Sequence, residues 1–177
     1  METHRTGLGP ADVVVDRAIE ADARAIARVA RAAADDLTTR HGSGPWSRAA
    51  SETAALRGIE MSTVLVARSG QGVVGSLRLT EVEPVTIDPA RFTPVRAPLY
   101  VVDVAVAPQA QRRGVGSALM AAARTAATRL GADALRLDAY DDPAGAGPFY
   151  LRCDFRPVGG GVHGGVALLY FEALLGR

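Results

Sequence analysis

The order of a buried strand, a glycine turn and a helix in the middle of the chain constrains the fold most. Residues 99–106 (LYVVDVAV) are a near-continuous, valine-rich apolar run, which is typical of a central strand buried on both faces. Gly114 and Gly116 follow, and an alanine-rich stretch with apolar side chains at helical spacing then runs to Gly131, a natural helix stop. Residues 134–140 predict the next strand, so the middle of the chain forms a βαβ unit.

The flanking segments predict antiparallel hairpins before and after this unit. Alternating apolar residues around Gly70 and Gly72 indicate the first hairpin, and the glycine-rich stretch GGGVHGG is expected to join the strands of the last one. Ser47 is expected to cap the second helix. The fold class is therefore α/β. The predicted flanking elements are strands at residues 13–18, 63–68, 73–82, 155–158 and 166–171, and helices at residues 21–37, 47–57 and 147–152.

Length and composition indicate one globular domain at residues 13–177, preceded by a flexible tail at residues 1–12. The tail lacks the apolar core of a signal peptide, and no run reaches the roughly 18 apolar residues of a membrane span. A net charge of +1 without a basic stripe argues against nucleic acid. One cysteine, Cys153, and scattered histidines predict neither a disulfide nor a metal site, and we expect a cytoplasmic protein.

The chain contains no lysine, because all 20 basic residues are arginine. A Walker-type phosphate loop and a pyridoxal enzyme both require a lysine, so both classes are excluded. A Rossmann-type dinucleotide site requires a small residue where this chain has Leu119, which disfavours that class. The alternative without a ligand is a glycine turn that only redirects the chain.

The turn itself carries the features of a pyrophosphate site. Glycines allow the backbone to approach a ligand closely, and the start of a helix supplies free N–H groups and a positive dipole end. Gln111, Arg112 and Arg113 precede the turn, and Ser117 adds a hydroxyl in the first helical turn. Arginine gives a phosphate a forked, charged donor without lysine.

Three motifs in order resemble the GNAT superfamily of acyl-CoA N-acyltransferases. Residues 111–116 (QRRGVG) resemble the signature Q/R-x-x-G-x-G/A, and the strand VVDVAVAP before them resembles the family's central strand. Residues 147–159 (GPFYLRCDFRPVG) resemble its segment FYxxxGFxxxG. The close match covers about residues 99–159. The resemblance implies a GNAT-like fold, with a mixed, mostly antiparallel central sheet flanked by helices.

This resemblance implies direct transfer of an acetyl group from acetyl-CoA to an amine in a ternary complex, with no metal. Tyr150, the second residue of the "FY" pair, would donate a proton to the leaving thiolate as general acid. A bulge in the central strand would open a slot in which backbone groups bind the pantetheine arm and the thioester oxygen. The residues expected to bind the coenzyme are Val104, Ala105, Val106, Gln111, Arg112, Arg113, Gly114, Val115, Gly116, Ser117, Asp142 and Tyr150.

The group that removes the amine proton is left open by the sequence. Asp103 lies in the central strand, where a carboxylate is unusual, and it is either that base or a paired structural acid. Some relatives place an acid one residue earlier, where this chain has Val102. Water is another possibility. The remaining candidate bases are Glu81, Glu83, His41 and His163.

Two positions depart from the family pattern. Asp142 stands one residue too early for the asparagine that often contacts pantetheine, and Asp154 replaces the usual glycine after the FY helix. Aspartate tolerates a positive φ better than most residues, so Asp154 is interpreted as a helix cap and Cys153 beside it as a core residue.

The acceptor site is expected to be built from the first two helices and their joint, which contains His41 and Trp46, the proline-rich loop from Pro84 to Pro98, and the last hairpin. A small-molecule amine is the first hypothesis, and a protein N-terminus or lysine is the second. A module that binds acyl-CoA without transfer is an alternative from another class. Residues 166–175 either complete the core or support a homodimer.

Overall fold

The computed structural model describes residues 13–70 and 72–176. The predicted tail therefore lies outside the described residues. One seven-stranded sheet runs in the order β1-β2-β3-β4-β5-β7-β6, with four α-helices against it. The strands are β1 (Val14–Arg17), β2 (Thr63–Ser69), β3 (Gly72–Thr80), β4 (Pro98–Val106), β5 (Ala134–Tyr140), β6 (Arg156–His163) and β7 (Val166–Leu174), and the helices are α1 (Ala23–His41), α2 (Glu52–Met61), α3 (Val115–Arg129) and α4 (Gly147–Arg152).

The predicted α/β fold with a mixed, mostly antiparallel sheet is confirmed. Among the described strands, β4 and β5 form the one parallel pair, and α3 connects them as the sequence predicts for a βαβ unit. The bounds of β5 and α4 agree with the prediction to the residue. Gly131 and Asp154 adopt φ values of 77° and 59° just after α3 and α4, so both predicted helix stops are confirmed.

The first two helices differ from the prediction at their ends. A single 3₁₀ turn (Glu20–Asp22) precedes α1, which continues to His41. Ser47 was predicted to cap the second helix, but α2 begins later and its cap is Ser51, whose hydroxyl accepts the N–H of Ala54. The Ser47 hydroxyl instead forms a hydrogen bond with the Thr38 hydroxyl at 2.7 Å, which fixes the segment between the two helices against α1.

The last hairpin also differs. The glycine-rich stretch was predicted to connect the strands, yet residues 159–161 belong to β6, and Gly164 and Gly165 form the turn. Gly160 and Gly161 lie so close to β7 that a Cβ would stand 2.4 Å from the Leu168 carbonyl oxygen and 2.5 Å from the Tyr170 hydroxyl, respectively. Close packing of the two strands therefore explains these glycines. β7 lies between β5 and β6, so its apolar residues complete the core.

The main hydrophobic core lies between α3 and the face of the sheet beneath it. Leu119 and Ala123 of α3 are fully buried against Leu77, Leu135 and Leu137 of the sheet. Small residues in α3 allow this close approach of helix and sheet. None of the helices in the described part of the chain has the length and apolar character needed to span a bilayer.

A buried ionic cluster fixes the proline-rich loop to the far end of the sheet. Glu172 in β7 is fully buried and receives hydrogen bonds from the Thr93 N–H at 3.1 Å and from Arg156 at 2.8 Å. The Arg136 guanidinium lies 3.6 Å from the same carboxylate and donates to the Thr93 carbonyl at 2.6 Å. It also stacks over the Phe92 ring at 4.9 Å.

We predict that Glu172→Gln lowers the free energy of unfolding by about 3–5 kcal/mol, because it leaves the buried Arg136 charge without its carboxylate. Urea unfolding measures this change. The matched control is Asp35→Asn, which removes an exposed pair with Arg31 at 3.9 Å and should cost less than about 1 kcal/mol. Equal losses in the two variants would contradict a structural role for the cluster.

Candidate active site

The centre of the candidate site is a gap in the sheet between β4 and β5. The two strands pair only from Pro98↔Ala134 to Tyr100↔Arg136, although β5 continues to pair with β7 as far as Tyr140. Within the described residues, the edge of β4 beyond Tyr100 therefore has no strand partner on this side. Backbone N–H and C=O groups that lack sheet partners are available to a ligand.

A bulge in β4 lies just beyond the point where β4 stops pairing with β5. Ser76 pairs with Ala105 and Arg78 with Val102, so Leu77 alone faces both Asp103 and Val104. Asp103 has a φ of 55°, an uncommon conformation for a residue with a side chain. The bulge that the family resemblance implies is thus present. Bulges bend a strand and re-aim its backbone, and here the Val104–Ala105 segment has no pairing with β5.

The bulge also decides where the carboxylate of Asp103 lies. Its side chain is half exposed and accepts a hydrogen bond from Arg78 Nε at 2.7 Å. The central strand is consequently buried on both faces only over its first half, which corrects the expectation from its apolar pattern. Asp103 borders the candidate site as an ion-paired acid, and its role as base stays a prediction.

The glycine loop places the start of α3 at one end of the gap. Gly114 precedes the helix with a φ of 81°, and Arg112 has a φ of 58°. These left-handed residues turn the chain sharply into α3, whose first N–H groups have no partner within the helix. Such a helix start attracts anions through its N–H groups and its dipole. The start of α3 is thus open to an anion, and its assignment as the pyrophosphate site stays a prediction.

The side chains of the loop divide into anchors and exposed groups. Gln111 Nε2 donates to the Val106 carbonyl at 3.1 Å, and Val115 is buried in the core. Both side chains hold the loop in place. Val115 can therefore offer a ligand only its backbone groups. Arg112, Arg113 and Ser117 are exposed beside the helix start.

Gly116 has a packing role that the sequence did not indicate. A Cβ on this residue would stand 3.0 Å from the Phe149 ring, so the missing side chain lets α4 approach the first turn of α3. Arg124 of α3 also donates to the carbonyls of Cys153 and Asp154 at 2.8 and 3.0 Å, which satisfies the end of α4. The two contacts fix α4 relative to the glycine loop.

Tyr150 on α4 is held in a cluster of aromatic rings. Its ring centroid lies 5.2, 6.0 and 5.8 Å from those of Phe149, Phe155 and Phe171, and the residue is 6% exposed. Burial raises the pKa of the Tyr150 phenol far above its ordinary value, and the carboxylate of Asp138 adds to the increase. The hydroxyl is therefore protonated at neutral pH and can act as a proton donor.

Tyr150 lines a cavity of about 520 Å³ that extends from the gap between β4 and β5 to α1. The Trp46 ring lies on its wall and packs edge-on against Tyr140 at 5.7 Å. His163 of the last hairpin lines it too. The predicted surroundings of the acceptor site (the helix joint, the proline-rich loop and the last hairpin) thus meet around one cavity. His41, by contrast, is exposed beside Trp46.

Asp138 is a candidate residue that the sequence analysis missed. It lies on β5 in the cavity wall, and its Oδ1 accepts a hydrogen bond from the Thr86 hydroxyl at 3.1 Å. Burial raises the pKa of the Asp138 carboxyl, although the Thr86 hydroxyl and the nearby His163 oppose the shift. Alternation of Arg136, Asp138 and Tyr140 along β5 was the signal available in the sequence, since it indicates a strand face that is not purely apolar.

The other predicted acids serve local structure. Asp142 Oδ1 accepts the N–H of Ala144 at 2.9 Å, so its carboxylate caps a turn in its own loop. Glu83 accepts the Tyr100 hydroxyl at 2.9 Å, and Glu81 is exposed. Burial raises the pKa of the Cys153 thiol, which supports its interpretation as a packed residue rather than a nucleophile.

Residues 60–157 match the Acetyltransferase (GNAT) domain family. This match spans more than half of the chain, including β4, the glycine loop, α3 and α4. The chain therefore belongs to the GNAT acetyltransferase family, as the three sequence motifs predict. A search of curated protein sequences finds no significant match.

Solved structures share this fold at low sequence identity. The chain is similar to yncA from Salmonella typhimurium, solved with its cofactor acetyl-CoA, with a TM-score of 0.67, 19% identity and coverage of 94% of this chain and 95% of that one. A ribosomal-protein-alanine N-acetyltransferase from Brucella melitensis gives a TM-score of 0.70, 21% identity and coverage of 92% and 99%. Ard1 from Thermoplasma volcanium gives a TM-score of 0.70 and 17% identity, with coverage of 94% of this chain and 99% of that one.

We predict that Gly114→Ala weakens binding of coenzyme A about tenfold or more. A Cβ at this φ costs about 1–2 kcal/mol, and relaxation of the turn would displace the first N–H groups of α3 from the phosphate position. Gly131→Ala is the matched control, since it introduces the same strain (φ of 77°) at the opposite end of α3, with open space around the new Cβ.

Urea unfolding should show similar destabilisation in both variants, and calorimetric titration with coenzyme A should separate them. Unchanged affinity in Gly114→Ala would refute the assignment of the helix start as the pyrophosphate site.

Proposed function

We propose that this acetyltransferase moves the acetyl group of acetyl-CoA directly to a primary amine of a small molecule, with Tyr150 as general acid. The observation that carries the proposal is the position of Tyr150. Its protonated phenol lines the cavity at the gap between β4 and β5, on a helix packed against the glycine loop. A proton donor and a candidate thioester slot therefore face the same space.

The described residues suit acetyl-CoA in two respects. The start of α3, with Arg112 and Arg113 beside it, would bind the pyrophosphate. The unpaired edge of β4 around Val104 and Ala105 would bind the pantetheine arm. The bound coenzyme supplies an activated acetyl group, and acetyl-CoA in the similar Salmonella structure supports this assignment.

Direct transfer is supported by the absence of a suitable nucleophile near Tyr150 among the described residues. Cys153 is the chain's one cysteine, and the elevated pKa of its thiol opposes thiolate formation. The acceptor and the acetyl donor would then occupy the site together. The cavity of about 520 Å³ gives the acceptor room on the side of α1, opposite the glycine loop.

The size and walls of the cavity favour a small acceptor over a protein. Its walls come from both sides of the site: α1 and the helix joint on one, β4, β5 and the last hairpin on the other. Protein acceptors remain the second hypothesis, because the Brucella neighbour is a ribosomal-protein-alanine N-acetyltransferase.

A thiol-release assay with acetyl-CoA decides between these hypotheses. It compares small primary amines, short peptides with free N-termini and lysine peptides. Turnover with small amines alone supports the proposal, and turnover with peptides alone supports the second hypothesis. Stabilisation by acetyl-CoA without turnover on any amine would instead indicate a binding module.

We predict that Tyr150→Phe lowers kcat about 100-fold or more and changes the affinity for acetyl-CoA less than threefold, because only the proton donor is removed. Steady-state kinetics and calorimetric titration measure the two quantities. Tyr100→Phe is the control, because it deletes a buried hydroxyl that bonds Glu83 outside the cavity. Equal losses of kcat and of affinity in Tyr150→Phe would assign the ring a structural role only.

A further inference from the structure

Asp138 is half-buried, and it differs from the buried acids Asp22 and Glu172 in its lack of an arginine partner. Asp22 forms two hydrogen bonds to Arg68 at 2.9 and 2.8 Å, and Glu172 lies between Arg136 and Arg156. In the part of the chain that the structure describes, no salt bridge reaches Asp138. Its carboxylate has one hydrogen bond from Thr86 and faces the cavity.

His163 lies near enough to lower the pKa of Asp138, but no salt bridge joins the two side chains in the described part of the chain. A desolvated carboxylate without a direct ion pair is costly, and such perturbed groups cluster at functional sites. The surroundings of Asp138 suit a cation. Tyr140, two residues further along the same face of β5, presents an aromatic ring that packs edge-on against Trp46. Aromatic faces beside a carboxylate are favourable contacts for an ammonium group.

The rest of the cavity indicates what is attached to that ammonium. Much of its wall is formed by alanine side chains, among them Ala30, Ala33 and Ala34 of α1. Few of the described lining residues other than Asp138 are charged or titratable, and one of these few, Asp103, is already bound to Arg78. These groups are Arg48 at the helix joint, Asp103 on β4, Tyr140 on β5, Tyr150 on α4 and His163 on β6.

We propose that Asp138 binds the ammonium group of an acceptor with an apolar body and removes its proton before transfer. This inference rests on the proposed function, and it names the substrate class and the base of the same site. Asp138 would thus be the catalytic carboxylate, and Asp103 would retain its pairing with Arg78.

Each proton moved in the proposed transfer has a donor and an acceptor in the site. The ammonium nitrogen gives one proton to Asp138 and then forms a C–N bond with the acetyl carbon. As the C–S bond breaks, Tyr150 protonates the leaving sulfur, and the second proton of the nitrogen restores the phenol. The products are the amide and the free thiol, and Asp138 releases its proton to solvent.

The first test measures binding without any acetyl donor. Calorimetric titration compares 2-phenylethylamine with the uncharged 2-phenylethanol. Wild type should prefer the amine, and Asp138→Asn should weaken amine binding about tenfold or more and leave the alcohol unaffected, since a charge-assisted contact is lost. Asn retains an acceptor for the Thr86 hydroxyl, and unchanged thermal unfolding verifies that the variant is folded.

The second test is the pH dependence of kcat/KM. In wild type, kcat/KM should fall as the pH decreases through the elevated pKa of Asp138, because the base becomes protonated. Asp138→Asn should lose this limb together with most of kcat, and Asp138→Glu should restore the limb at a lower kcat. The control Asp16→Asn alters an exposed carboxylate near Arg68 and should leave the profile unchanged.

The outcomes separate this inference from the proposed function. Amine binding that depends on Asp138 supports the ammonium site even if no acetyl transfer is observed. If amines are acetylated and Asp138→Asn keeps both the amine preference and the pH limb, the inference is overturned and the acetyltransferase activity stands. Loss of the limb in Asp103→Asn instead would assign the base to Asp103 and overturn it as well.

Discussion

The separation of β4 from β5 is the constraint on which the rest of the site depends. An uninterrupted parallel pair would satisfy its backbone groups across the sheet and leave no slot for a ligand. Here the parallel pairing ends at Tyr100, and the extra residue at Asp103, where Leu77 faces two residues of β4, follows directly. The Tyr150 phenol and the Asp138 carboxylate line a single cavity, although they come from different elements, and α4 packs against the start of α3.

The parts of this arrangement that local signals encode could be predicted from the sequence. Gly131 ends α3, the valine-rich run forms β4, and the strand and helix that carry Asp138 and Tyr150 begin and end where the pattern places them. The cap of the second helix could not be predicted in the same way. Ser47 and Ser51 are equally capable of capping, and the choice depends on contact of Ser47 with Thr38, nine residues earlier on α1.

The chemistry of the site was harder to predict because it depends on contacts between distant residues. Asp138 meets Thr86 across 52 positions of sequence, so neither residue alone suggests a half-buried carboxylate in a cavity. Gln111 illustrates the converse. Its place in the motif suggests a ligand contact, but its amide is bound to the Val106 carbonyl and fixes the loop. Motifs thus predicted the location of the site, and three-dimensional packing decides how each side chain is used.

The electrostatic interaction between Asp138 and Tyr150 suggests how the two proposed roles are coordinated. Burial is the main cause of the raised pKa of the Tyr150 phenol, and the Asp138 carboxylate adds to it and so opposes loss of the proton. An ammonium group bound to Asp138, or the proton it leaves there, neutralises that charge and makes the phenol a stronger acid. Proton donation to the leaving sulfur would then be more favourable once the acceptor is in place. Because the phenol would be a weaker acid before the acceptor binds, this arrangement would limit premature cleavage of the thioester. It requires the charge of the bound acceptor and no conformational change of the protein.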